Sequence, residues 1–280
     1  MSWRIEIRHR TGYRYESPVE SSYNEARITP LTTPAQLTLD SRVEVVPGAH
    51  VYRYWDYWST LVHAFDVHVP HTELVVTGTS VVETSSKPAA EATVGWPALA
   101  GDEVRSRFAE LLAPTAYAPF PEVITEATAE LARRYQPREA CDAVVDWVRG
   151  ALRYEHGTTG VSTSCTEALA QGVGVCQDFA HAALSALRSM GVPARYVSGY
   201  LHPVNDAGVG EGVEGESHAW VEAWLGDWLA LEPTSGSAVG ARHVVVGRGR
   251  DYADVAPLKG VYRGGPCANL GVTVELTRLA

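Results

Sequence analysis

The hydrophobic period of the chain changes twice along its 280 residues, and this change limits the folds open to it. Residues 3–8 alternate strictly between apolar and charged side chains, and Tyr13 and Tyr15 keep the same parity. A two-residue period is typical of a strand with one buried face. Further strands are predicted over 42–46, 61–69 and 73–83. Because no helical period occurs in this part, we expect residues 1–90 to form an N-terminal β domain resembling a sandwich.

A helical period follows, after a small and polar segment at 84–93 that we interpret as a linker. Apolar residues recur at helical spacing over 124–135 and 140–151. The two-residue period then returns, and it predicts strands over 194–201, 217–224, 228–232, 243–246 and 271–276. Residues 203–216, rich in Gly, Glu and Val, are expected to form a mobile loop. We therefore expect residues 91–280 to pack helices on an antiparallel sheet, which makes the fold class α+β.

Composition excludes several classes of function. Acidic residues outnumber basic residues, 33 to 23, and the formal charge of −10 argues against nonspecific nucleic-acid binding. No run of the sequence approaches the roughly 20 apolar residues of a membrane helix, and the N-terminus has no apolar signal region. The four cysteines form no C-x-x-C pair, and no residues have metal-ligand spacing, so we expect neither a metal nor another cofactor. The low cysteine count predicts a cytoplasmic protein.

Cys176 has the most informative local setting in the chain. It ends the glycine-rich segment Gly-Val-Gly-Val-Cys and starts a helix whose apolar stripe runs to Met190, before Gly191 and Pro193 stop it. Backbone N–H groups at a helix N-terminus lack intrahelical acceptors, and the macrodipole is positive there, so a thiolate is stabilised. The thiolate is the nucleophilic form of cysteine. Asp178 and Gln177 are expected to stabilise the start of the helix.

A histidine and a carboxylate follow Cys176 in the order that a cysteine-dependent acyl-transfer site uses. His218 lies in a predicted strand over 217–224, and Glu232 ends the next strand. If Leu225-Gly-Asp227 forms a three-residue loop, Trp224 pairs with Trp228 and Glu232 lies diagonal to His218, about 7–8 Å away at Cα. A two-residue loop shifts the register by one and turns Glu232 to the opposite face. A catalytic site therefore requires the three-residue loop.

These residues belong to segments that resemble the transglutaminase-like superfamily, and more narrowly its bacterial members described as cysteine proteases. The segments are Gly174-Val-Cys-Gln-Asp-Phe-Ala180, Gly191-Val-Pro-Ala-Arg-Tyr-Val-Ser-Gly-Tyr200, Ser217-His-Ala-Trp-Val-Glu222 and Leu231-Glu-Pro-Thr234. Near the ends of the chain, His9-x-Thr-x-Tyr-x-Tyr15 and Gly249-Arg-Asp-Tyr252 also resemble that subgroup. The resemblance implies a papain-like core over residues 91–280, including the C-terminal strands, and a triad of Cys176, His218 and Glu232. The family usually has Asp where this chain has Glu232.

The resemblance implies a cysteine hydrolase or acyltransferase that acts on a peptide or isopeptide amide through a thioester. Cys176 would attack the carbonyl, His218 would move the proton, and Glu232 would orient His218. The Cys176 N–H is the first expected oxyanion donor, and the second could come from Gln171, Tyr154 or Trp147. Alternatives are a protein-glutamine transglutaminase or deamidase, and a catalytically weakened module that binds a partner. The sequence leaves the substrate and the oligomeric state open.

Overall fold

The computed structural model describes residues 2–86, 91–215 and 217–280, apart from the side chain at 269. Its strands are β1 Ser2–Val19, β2 Ser21–Ala26, β3 Gln36–Val46, β4 Val51–Trp55, β5 Leu61–Val67, β6 His71–Ser85, β7 Arg153–Tyr154, β8 Val173–Gly174, β9 Ala194–Leu201, β10 Gly212–Gly215, β11 Ser217–Trp224, β12 Trp228–Leu231, β13 His243–Gly249, β14 Leu258–Arg263 and β15 Cys267–Arg278. Its helices are α1 Trp96–Leu99, α2 Asp102–Arg107, α3 Ala109–Leu112, α4 Glu122–Arg134, α5 Pro137–Ala151, α6 Cys165–Gln171, α7 Cys176–Ser189 and α8 Tyr252–Val255. The α+β class predicted from the sequence is confirmed.

The first 85 residues contribute to two sheets that share a core. One sheet has the strand order β10-β15-β1-β6-β3, and the other has the order β14-β2-β5-β4. Their shared core contains Tyr15 and Leu74 from the first sheet and Phe65 and Val67 from the second. The predicted parity of β1 is confirmed, since Trp3, Ile5 and Ile7 are buried and the charged residues between them are exposed. The predicted linker at 84–93 includes 87–90, which lie outside the described residues.

The C-terminal strands correct one part of the expected organisation. They were expected to belong to the helical core, but β15 pairs with β1 along most of its length, and β14 pairs with β2. Strand β10 lies within the segment expected to be a mobile loop, and it pairs with β15. An alternating pattern predicts that a strand has a buried face, but it carries no information about which distant strand is its neighbour. The boundary near residue 90 stays a prediction.

A third sheet, ordered β12-β11-β9-β13, carries the helices. Ala219, Val221 and Ala223 of β11 belong to the same buried cluster as Val144 of α5 and Leu184 of α7. The end of this sheet at Tyr200, Val244 and Val246 belongs instead to a cluster with Trp3 and Ile7 of β1. The third sheet therefore lies in contact with both the helical layer and the five-stranded sheet.

Helix α7 lies at the centre of the helical layer, and more of its residues are buried than the apolar stripe in the sequence predicts. Every residue from Gln177 to Arg188 is buried. The polar residues among them find partners: the Arg188 guanidinium donates to the carbonyls of Ala194 and Arg250, and the His181 Nε2 accepts from the Tyr252 N–H. These contacts hold the helix along its length and at its C-terminal end. Among the described residues, no helix is long and apolar enough to cross a membrane.

Candidate active site

Cys176 is the first residue of α7, as predicted. Asp178 accepts a hydrogen bond from the Val175 N–H at 2.8 Å and another from the Thr159 hydroxyl at 2.6 Å, which confirms its role in stabilising the helix start. Gly174 is needed beside it, because a Cβ at this position would lie 2.7 Å from the Asp178 Cβ. The start of the helix is therefore rigidly defined. The Cys176 N–H is among the first N–H groups of the helix, which have no intrahelical acceptor.

The hairpin between β11 and β12 has the register that a catalytic site requires. Trp224 pairs with Trp228, and Val221 pairs with Leu231, so the loop is the predicted Leu225-Gly-Asp227. Gly226 has a φ of 102°, a conformation that favours glycine over other residues. The register prediction is confirmed. Glu232 follows the last residue of β12 and reaches back to His218.

Cys176, His218 and Glu232 meet at one place. The His218 Nε2 lies 2.7 Å from the Glu232 Oε2. The Cys176 Sγ lies 4.0 Å from the carbonyl oxygen of Ser217, the neighbour of His218 in the chain, and Cys176 helps to raise the pKa of His218. Because Nε2 is engaged by the carboxylate, Nδ1 is the ring nitrogen available to the thiol. The geometry is therefore that of a nucleophile, a base and an orienting carboxylate.

The charges at this place reinforce one another. Burial on its own lowers the pKa of His218, but the hydrogen bonds and charges of Cys176 and Glu232 outweigh it and raise that pKa to about 10. Burial raises the pKa of Glu232, but hydrogen bonds from His218 and His243 outweigh it and lower that pKa to about 2. At neutral pH, His218 is therefore an imidazolium paired with an anionic Glu232 carboxylate.

A residue that the sequence analysis did not single out also contacts the carboxylate. His243 opens β13, and its Nε2 lies 3.4 Å from the Glu232 Oε2. The Thr234 N–H donates to the other oxygen, Oε1, at 3.0 Å. Although β13 was predicted as a strand, its position beside β9 joins residues far apart in the chain. No local pattern in the sequence signals that neighbourhood.

Trp220 lies against both histidines. Its ring is stacked with His218 at 6.1 Å between centroids and meets the His243 ring edge-on at 5.3 Å. Trp220 is fully buried, and an added Cβ on Gly199 would lie 2.7 Å from its ring and 2.0 Å from the Val244 carbonyl oxygen. Glycine at 199 is therefore needed for the indole to lie where it supports the histidines.

The three candidates for a second oxyanion donor lie in different surroundings. Tyr154 is in β7, pairs with Gly174 two residues before Cys176, and its ring lies 6.3 Å from that of Phe179. Gln171 is exposed at the end of α6, and Trp147 packs partly buried against the helical core. Tyr154 is therefore the candidate that strand pairing attaches directly to the Cys176 segment, and the assignment of the donor stays a prediction.

Three side chains of this site could also bind a metal. One ligand atom each from His218, Glu232 and His243 lies within 4.8 Å of the others, and imidazole and carboxylate are ligands that zinc accepts. The hydrogen bonds among the three already account for their arrangement. A cavity of about 580 Å³ borders Glu232 and His243, and its lining also includes Trp220, Glu222 and Arg248.

The other cysteines lie apart from this arrangement. Cys141 and Cys165 are buried, and burial raises the pKa of these thiols to about 12 and about 11. Cys267 is exposed and pairs with Tyr15 on the five-stranded sheet. Cys176 is therefore the thiol that combines partial exposure with a histidine partner.

Comparison with known proteins identifies the family of the chain and agrees with its fold. Residues 125–233 match the transglutaminase-like superfamily, and residues 5–83 match the bacterial transglutaminase-like N-terminal region. An uncharacterized protein of Mycobacterium leprae is 50% identical over 99% of this chain and 100% of its own length. A protein-glutamine gamma-glutamyltransferase of Pseudomonas aeruginosa is 38% identical over 109 residues, which cover 34% of this chain and 16% of that protein.

Among solved structures, a proposed cysteine protease of Cytophaga hutchinsonii has a TM-score of 0.80. The match covers 100% of this chain and 92% of that chain. With 23% sequence identity, this likeness supports the fold alone.

Proposed function

Because the chain belongs to the transglutaminase-like superfamily and carries the N-terminal region of its bacterial members, we propose that it is a cysteine-dependent amide hydrolase or acyltransferase. The observation that carries the proposal is the contact of the His218 Nε2 with the Glu232 Oε2 at 2.7 Å, beside the Cys176 Sγ, which lies 4.0 Å from the Ser217 carbonyl oxygen. This arrangement supplies a thiol nucleophile and, in the protonated His218, a proton donor at neutral pH. Cys176, His218 and Glu232 are the proposed catalytic triad.

In the proposed reaction, the Cys176 thiolate attacks the carbonyl carbon of an amide. The negative charge that develops on the carbonyl oxygen is stabilised by the Cys176 N–H at the start of α7. The C–N bond then breaks, and the imidazolium of His218 gives its proton to the leaving amine. The remaining thioester is cleaved by water, whose proton passes to His218 and whose oxygen stays on the released acid. An amine in place of water gives a new amide.

Glu232 fulfils the orienting role despite an arm one methylene longer than that of Asp. It lies just beyond the end of β12, where the backbone is no longer fixed by pairing with β11. Its oxygens are held by His218 on one side and by the Thr234 N–H on the other. The longer arm therefore spans the distance to His218 with both carboxylate oxygens bonded.

We propose a peptide or isopeptide amide in a protein as the substrate, with hydrolysis as the main outcome. Transfer to an amine is the second candidate, since the relative from Pseudomonas aeruginosa is named a protein-glutamine gamma-glutamyltransferase. A partner-binding module without turnover is the third candidate, because Glu232 departs from the family's Asp. The cytoplasm is the proposed compartment, since all four cysteines are free.

Alkylation of Cys176 by iodoacetamide across a range of pH tests the proposal. The Cys267→Ser variant is the starting protein, because Cys267 is the other accessible thiol. We expect alkylation to stay fast at pH 6, where a free thiol with a pKa of about 8.5 is almost fully protonated. A profile that follows a free thiol, in folded protein, would contradict the proposed function.

Profiling with a peptide library identifies the reaction. Wild type and Cys176→Ala are incubated with the library, with and without an added primary amine. Hydrolysis releases new carboxyl termini, deamidation converts Gln to Glu, and transfer attaches the amine. Equal product patterns for the two proteins would leave the binding module as the better explanation.

A further inference from the structure

We propose that His243 is a positioning residue of this site, which acts by donating a hydrogen bond to Glu232. The inference rests on the proposed function of the triad and adds a residue to it. His243 does not contact Cys176 in this arrangement. Its effect on the thiol passes through the carboxylate and His218.

The tautomer of His243 follows from its two contacts. The Gly240 N–H donates to the His243 Nδ1 at 3.2 Å, so that nitrogen is an acceptor and carries no proton. A neutral imidazole then carries its proton on Nε2, which faces the Glu232 Oε2. Burial lowers the pKa of His243, which keeps the ring neutral at physiological pH. His243 therefore donates a hydrogen bond without competing with His218 for the positive charge.

The orientation of the His243 ring is restricted by its surroundings. The residue is 5% exposed and packs edge-on against Trp220. Its backbone pairs with Leu201 at the start of β13. The guanidinium of the neighbouring Arg242 donates a hydrogen bond to the His202 carbonyl oxygen. The charges that act on the His243 ring are those of Glu232, which raises its pKa, and of His218 and Arg242, which lower it.

A second donor matters because glutamate is a flexible arm. With His218 and the Thr234 N–H alone, each oxygen of Glu232 has one partner. His243 adds a third hydrogen bond, from another strand, and places it on the same oxygen that binds His218. It thereby restricts rotation of the carboxylate and keeps Oε2 directed at the His218 ring. Outer partners of this kind are known to orient groups that contact the reacting atoms.

Two substitutions separate the hydrogen bond from the packing. His243→Phe keeps a ring against Trp220 but removes the donor, and His243→Gln retains an uncharged N–H donor near the position of Nε2. In the Cys267→Ser background, we expect His243→Phe to slow alkylation at pH 6 by about tenfold, the effect of one lost hydrogen bond to a charged group. The acid limb of the profile then moves to higher pH by about one unit. His243→Gln should restore most of the wild-type profile.

The Glu232→Gln variant shows whether His243 acts through the carboxylate. Because Glu232→Gln already removes the charge that His243 orients, adding His243→Phe to it should slow alkylation at pH 6 by less than about twofold. An equal tenfold loss in both backgrounds would overturn the inference, as would an unchanged profile in His243→Phe alone. Thermal unfolding of each variant establishes that it is folded.

These outcomes are distinct from a failure of the proposed function. If the triad itself is wrong, the starting protein lacks fast alkylation at pH 6, whatever residue 243 is. If only the role of His243 is wrong, the starting protein is alkylated fast at pH 6 and the His243→Phe variant is alkylated equally fast.

Discussion

Shortening Glu232 to Asp tests whether the longer arm is needed at this site. The change withdraws the carboxylate by about 1.5 Å, one C–C bond length. The present distance from the His218 Nε2 to the Glu232 Oε2 is 2.7 Å, so the shortened side chain would leave a gap of about 4 Å. The Glu232 side chain is fully buried, and water has little access to bridge that gap. We expect the hydrogen bond to be lost.

The size of the effect follows from the kind of bond. A hydrogen bond between charged groups contributes about 1.5–3 kcal/mol, which corresponds to about a 10- to 150-fold loss in the rate of thioester formation. The assay is single-turnover acylation by a peptide substrate from the library, together with alkylation at pH 6. Glu222→Asp is the matched control, because Glu222 is also a buried carboxylate of this sheet but pairs with Arg195 and Arg248. It should lower the free energy of unfolding without this loss of rate.

Wild-type rates of acylation and alkylation in Glu232→Asp would contradict the need for the longer side chain. They would mean that the backbone after β12 moves to bring the shorter carboxylate to His218. The side-chain length would then be tolerated at this position without being required.

Three further predictions concern the framework of the site. Gly199→Ala should destabilise the fold by about 1–3 kcal/mol or more and slow alkylation, because its Cβ would lie 2.0 Å from the Val244 carbonyl oxygen and 2.7 Å from the Trp220 ring. Gly150→Ala, with open space around it, should be neutral or stabilising in thermal unfolding. The burial of His9 lowers its pKa to about 4, so His9 should contribute about 3 kcal/mol to the fall in the free energy of unfolding as the pH drops from about 6.5 to about 4, in addition to the fall from His63 and His181. In His9→Phe, denaturant titrations over this pH range should show a smaller fall in the free energy of unfolding. An equal fall in both proteins would contradict the lowered pKa of His9. A chain that ends at residue 257 should fail to show a cooperative transition, because it lacks the strands that pair with β1 and β2.

The parts of the site that are local in sequence could be predicted. Glycines followed by an apolar stripe locate the start of α7 at Cys176, and the alternation over 217–224 gives the bounds of β11. The sequence allowed a hairpin loop of two or of three residues. The requirement that Glu232 face His218 selected the three-residue loop, which the structure shows. These features depend on contacts between residues close together in the chain. Local sterics and short loops determine such contacts.

The tertiary structure decided which distant segments become neighbours. His243 reaches Glu232 because β13 pairs with β9, and β15 closes the N-terminal sheet from the far end of the chain. The alternation of a strand indicates which of its faces is buried. It does not indicate which strand lies beside it, since every sheet edge offers the same backbone hydrogen bonds. The sequence by itself therefore located Cys176 at the start of α7 and predicted that Glu232 would face His218. Only the strand order of the third sheet, with β13 beside β9, determined that His243 also holds that carboxylate.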